Sequence, residues 1–183
     1  DMRSATVNIE LNNNYSNTIS DVKILGRVPS KGNKYAITNG DMGSTFTATM
    51  TNEGITLPDA LKSVAKVYYS ENSNATRSLS DSTNGWTTTP SDYSKVKSYL
   101  IDFGDYTLSK GEKHTISYNI SIPAGLSYNQ VAYSHHGVYF SLDTTEGKYK
   151  TRTEPNKVGF MIAKQYDLEL TKYQKNKTNG VRG

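Results

Sequence analysis

Cysteine is absent from the 183 residues. This excludes disulfide staples, thiolate metal sites and cysteine nucleophiles, but not export, since bacterial surface proteins often lack disulfides. Apolar residues are scarce, at 34%. No apolar run approaches the ~20 residues that span a bilayer, so no membrane insertion is expected within this segment. No signal peptide precedes Asp1, and the chain reads as a mature or excised segment. An excess of charge of one sign is missing from the body. Residues 172–183 hold Lys172, Lys175, Lys177 and Arg182 with no acid, and removing those four from the 21 bases leaves 17 against 17 acids in residues 1–171. A nucleic-acid binder carries a basic stripe interleaved with aromatics along its body; a neutral body with a short basic tail predicts no such partner.

Tyrosine is plentiful at 14, alongside Ser, Thr and Asn, a composition that favours half-buried strands. Period-two patterning runs the length of the chain. "HTISYNISIPAG" (114–125) sets Ile116, Tyr118, Ile120 and Ile122 on one side, and "ATVNIELNN" (5–13) does the same with Val7, Ile9 and Leu11. "DVKILGRVP" (21–29) aligns Val22, Ile24, Gly26 and Val28 and stops at Pro29. Asn39-Gly40 is a hairpin signal ahead of the Phe46, Ala48, Met50 alternation. "AKVYYSE", "KSYLIDF", "GVYFSLD" and "KVGFMIAK" are further strands, and the turn "TTEGK" follows the third. "LPDALKSV" predicts one or two helical turns. Seven to nine strands, at most one short helix and no crossover helices predict an all-β antiparallel sandwich or barrel.

Chemistry-bearing residues are few. His135 and His136 are neighbours on a strand and point to opposite faces, so they do not readily grip one ion, and His114 is the only other histidine. One of the pair is expected under the sheet and the other exposed; no metal and no cofactor are expected. No nucleophile elbow appears. Carboxylates such as Asp102 and Asp105, or Glu10 and Asp21, read as solvated turn or edge charges, so no enzyme is predicted. Turn chemistry accounts for the Asn, Asp and Gly of "SDSTNGW" and "TNGDMGS" without calcium. The tyrosines outnumber what a small core needs, and exposed Tyr and Trp stack on sugars or anchor interfaces. The lone Trp86, with Tyr93 and Tyr99, is the candidate ligand surface, although cross-strand packing is the commoner use of tyrosine.

The order "ATVNIELNNNYSNTISDVKILGRVP", "GSTFTATM", "LSKGEKHTISYNISIP", "EPNKVGF" resembles the immunoglobulin-like conserved-repeat modules of Gram-positive, wall-anchored cell-surface proteins, over residues 5–164. The tail "YDLELTKYQKNKTNGVRG" is similar to the first strand of a collagen-adhesin B-type module. The first resemblance implies an immunoglobulin-like β-sandwich over residues 1–164, and the second a linker and the first strand of a truncated following module over 165–183. In the B-type family the strand lysine, here Lys172, forms an isopeptide bond with an Asn late in its own module, which would lie beyond Gly183. Within residues 1–164 the nearest substitute pair is Lys23 with Asn156, assisted by Glu154 or Asp143. That chemistry needs a desolvated lysine, whereas Lys23 falls out of phase with Val22 and Ile24 and is expected to face solvent. Together the resemblances imply a non-catalytic structural or adhesive module, extracellular on the bacterial cell wall. Its partners would be neighbouring modules of the same polypeptide and a host matrix protein or glycan.

Overall fold

In the computed structural model, residues 3–163 are described. Strand β1 (Arg3–Asn12) buries Val7, Ile9 and Leu11 and exposes the residues between them, as alternation requires. Its partner β6 (Lys113–Ile122) runs antiparallel, Arg3 opposite Ile122 through to Asn12 opposite Lys113, and buries Ile116, Tyr118, Ile120 and Ile122. The far edge of β6 takes β3 (Thr49–Thr56), completing a three-stranded sheet ordered β1-β6-β3. The larger sheet runs β4 (Lys66–Ser70), β5 (Ser98–Asp102), β2 (Ile19–Arg27), β7 (Val131–Thr144) and β8 (Gly147–Thr153); β9 (Val158–Met161) pairs with residues 131–134 of β7. The protein is therefore an all-β antiparallel sandwich with nine strands among the described residues and one four-residue α-helix, α1 (Asp59–Lys62), anchored by buried Leu61. The tail strand and the domain boundary expected after residue 164 lie outside the described residues.

The two sheets close over one core that includes Val22, Ile24, Val28, Ile101, Ile116 and Ile120. Each fully buried aliphatic side chain contributes about 1.5–3 kcal/mol of transfer free energy. A second, smaller burial lies on the outer face of the large sheet. Leu25 and Leu100 are buried yet sit outside the main cluster, because loops 31–48 and 71–97 fold over that face. Ile37 from the first loop packs so closely on Gly137 that a Cβ there would meet its Cδ1 at 2.6 Å. From the second loop, Ala75 offers its carbonyl to Arg27 at 2.9 Å. Double coverage explains why β2 is buried almost continuously from Ile24 to Arg27.

Three expectations need correcting. Asn39-Gly40 makes a turn, with Asn39 at φ 62°, but it closes a single bridge between Lys34 and Asp41 and no long hairpin. The reason is that residues 31–48 are recruited as a cover over β2 and β7. The strand β8 was not expected; its burial pattern is nearly all exposed, so it carries no apolar alternation to mark it. Neither histidine of the pair is free in solvent. His135 is buried under loop 31–48, accepting from the Ala36 amide at Nδ1, while the His136 Nε2 is buried without a partner.

Candidate functional site

The 27 residues from 71 to 97 join adjacent strands β4 and β5 and are braced throughout. Asn84 is the hub. Its buried side chain donates to Thr76 Oγ1 (2.8 Å) and Ser78 O (2.8 Å) and accepts from the Thr76 amide (2.9 Å), while its carbonyl receives the Ser70 hydroxyl. Asp81 caps the short 3-10 turn Ser82–Asn84 through Thr83, and Asp92 caps Tyr93–Lys95 through Ser94. These hydrogen bonds hold both carboxyls below the usual range. Gly85 ends the first turn in the left-handed region at φ 59°, which a side chain rarely adopts. Thr87 then bridges back to Tyr69 through two backbone hydrogen bonds (2.7 and 3.0 Å).

The three aromatic candidates do not form one surface. Trp86 is half-buried and pinned by its indole N–H to Thr76 O at 2.8 Å. Tyr93, also half-buried, meets Tyr69 edge-on at 5.2 Å and 78°. The Tyr69 hydroxyl accepts from the Ile55 amide (2.9 Å) beside Gly54, where a Cβ would come within 2.7 Å of it. Tyr99 is only 1% exposed and cannot belong to a ligand surface. It points between the sheets, ring to ring with Tyr118 at 5.4 Å, and desolvation there raises its pKa.

What the loop does present is an open cleft of about 470 Å³ at the end of β4. It is lined by Glu71, Asn72, Thr83, Thr87 and Thr89 together with Tyr69, Pro90 and Val96, so polar and apolar surface are mixed. Hydroxyls and amides on a rigid frame suit hydrogen bonding to a hydroxyl-rich ligand.

The isopeptide pair is not assembled. Lys23 stands on the outer face of β2, in register with Asp102 on one side and Tyr139 on the other. Asn156 is exposed and lines a separate cleft with Tyr35, Thr38 and Lys157. The helper acids are engaged elsewhere: Glu154 accepts from the Ile37 amide at 2.7 Å, and Asp143 accepts from the Ser20 hydroxyl at 2.8 Å. An exposed Asn and a lysine lining an open cleft lack the desolvation that amide formation needs.

Among the described residues no group of three His, Asp or Glu side chains is arranged to hold a metal ion. His114 pairs with Glu112 at 2.6 Å, and Glu112 also accepts from Tyr106 and Ser109. Burial alone would raise the Glu112 pKa, but those hydrogen bonds hold it low. The cluster ties together the turn that enters β6. Three of the carboxylates considered for catalysis have local tasks: Glu10 accepts from Thr115, Asp102 caps the Gly104 amide and Asp21 pairs with Lys148 at 3.3 Å.

A concentration of cations was missed. Lys23, Arg77, Lys150 and Arg152 line one cleft on the open half of the large sheet, around Tyr139. The signal was in the spacing of "KYKTRT", which puts Lys148, Lys150 and Arg152 on alternate positions and hence one face of a strand.

Comparison of the chain with protein-family models gave no match, and comparison with curated proteins gave none either.

Proposed function

We propose that this protein is a non-catalytic structural or adhesive module of a bacterial cell-surface protein, a rigid domain that spaces or presents a binding surface outside the cell. The observation that carries this reading is the braced loop at residues 71–97, a long polar segment held by side-chain caps and a buried Asn84 instead of being left to move. Rigid display on a fully hydrogen-bonded antiparallel frame suits resistance to proteases and extension. The sequence resemblance to wall-anchored modules supports the location.

An adhesive role is favoured over a bare spacer by the open cleft at the end of β4, where Glu71, Asn72, Thr83 and Thr87 stand beside Tyr69. Panels of neutral glycans and matrix proteins, probed with the full chain, separate the two. Saturable binding that Asn72→Ala or Trp86→Ala removes supports adhesion, and silence across broad panels leaves a spacer. Turnover of any polysaccharide by the purified chain would overturn both. Protease shaving of intact source cells, releasing peptides of this domain, checks the location.

A further inference from the structure

We propose that the cleft lined by Lys23, Arg77, Tyr139, Lys150 and Arg152 binds an acidic polysaccharide, through carboxylate or sulfate groups carried along its sugar chain. The proposal stands on this cleft's charges, not on where the protein resides, and the cleft shares no lining residue with the cleft at the end of β4.

Strand pairing sets the arrangement. Lys23 on β2 lies opposite Tyr139 on β7, and Tyr139 lies opposite Arg152 on β8, so the three form one row across the sheet. With strands about 4.8 Å apart, the two cations flank the ring at roughly 10 Å from each other. Lys150 adds a charge two positions along β8, about 7 Å from Arg152 on the same face. Arg77 reaches in from loop 71–97 and lays its guanidinium over the Tyr139 ring at 3.6 Å. Asp21 is the one acid lining this cleft, and it is paired with Lys148 at 3.3 Å. Four cations and one engaged acid line the cleft, and Asp102, opposite Lys23 across β2 and β5, stands just beyond its lining; this is a local excess of positive charge in a body whose charges balance as a whole.

The positive field continues beneath. Arg77 and Tyr139 also line a second cleft, which Arg27 lines as well. Arg27 is only 3% exposed, has no carboxylate within ion-pair distance among the described residues, and leaves its Nε without a hydrogen-bond partner. A buried cation normally carries a paired anion; here none is supplied by the described chain. Edge protection explains lysines on β8, but not Lys23 on a central strand, nor an arginine brought in from loop 71–97 to lie over Tyr139.

The occupant is a glycan and not a nucleic acid because neither aromatic residue of the lining offers a free ring: Phe140 is buried and Arg77 already covers Tyr139. Strand-tracking nucleic-acid sites add successive free rings on which bases stack. A cleft of about 520 Å³ takes a short stretch of sugar chain.

The test is titration of the full chain with three size-matched oligosaccharides, sulfated, uronate-bearing without sulfate, and neutral, and with single-stranded DNA. Saturable binding of one or both acidic sugars is expected, weakening steeply with salt and absent for the neutral one. The uronate and sulfate arms identify which anion is preferred. Lys150→Glu with Arg152→Glu, both on exposed positions, is expected to weaken binding at least about tenfold, with Arg77→Ala in the same direction. Lys110→Glu with Lys113→Glu makes the same net-charge change elsewhere and is expected to have little effect. The four cations of residues 172–183 are unchanged in every variant. Equal weakening by the two double variants, no acidic-sugar binding, or DNA binding as tight as that of the sugars would each overturn the proposal. Thermal melting confirms that each variant is folded.

Discussion

The ring of Tyr99 lies directly over Gly26, its partner across β2 and β5, so that a Cβ on Gly26 would fall 1.9 Å from the Tyr99 Cζ. That one contact lets a large aromatic cross the gap between sheets and reach Tyr118 on β6. A glycine is needed there for space, not for backbone conformation.

Gly26→Ala is therefore expected to cost about 2 kcal/mol or more, read as a lowered midpoint in urea unfolding. The side chain it strikes is buried and has little room to move. Tyr99→Leu in the same chain should recover part of the loss. A Gly26→Ala variant as stable as the parent would refute the close approach.

Stability is expected to fall in mild acid. The His136 pKa is pushed from 6.5 down to about 4, chiefly by burial and secondly by His135; His135 is itself lowered by burial, with Glu154 opposing. An unfolded imidazole takes up its proton near pH 6.5, before the folded one does, so the unfolded state gains as pH drops. The contribution is whole above about pH 6.5 and is lost progressively toward about pH 4, with His136 accounting for roughly 3 kcal/mol at most. Urea midpoints measured across that window should decline, and His136→Gln should flatten the decline.

Asn84→Ala removes a buried amide that satisfies several backbone groups at once, and is expected to destabilise loop 71–97 by about 2–3 kcal/mol. Hydrogen exchange should speed up at residues 76–86 while β1 and β6 stay protected. Uniform loss of protection would mean that the loop and the sandwich unfold as one unit.

Intact mass should equal the sequence mass. Lys23 and Asn156 line different clefts, so no ammonia is expelled between them. A mass short by one ammonia would show that an isopeptide bond forms after all.

Much of the sandwich was legible in advance, for a physical reason. Where one face of a strand meets the core and the other meets water, side chains must alternate, and Val7, Ile9, Leu11, Ile116, Tyr118 and Ile120 do so. The reading failed where that condition failed. Leu25 and Arg27 face away from the main core yet are buried, because two loops distant in sequence cover them. Tyr99 was read as a surface ring because a tyrosine on a strand can face either way, and only the glycine opposite and Tyr118 beyond it settle which. On β8 the alternating cations were visible but had no partners until β7 and loop 71–97 came alongside.

Period-two spacing and turn residues, written along the chain, were enough to determine an all-β protein and most of its strands, though not β8. Local preference acts over a few residues and needs no knowledge of distant neighbours. Which rings are buried, how the polar loop is braced and where four cations meet depend on contacts between segments tens of residues apart. Those contacts exist only once the two sheets have closed and their loops have folded back over the outer face.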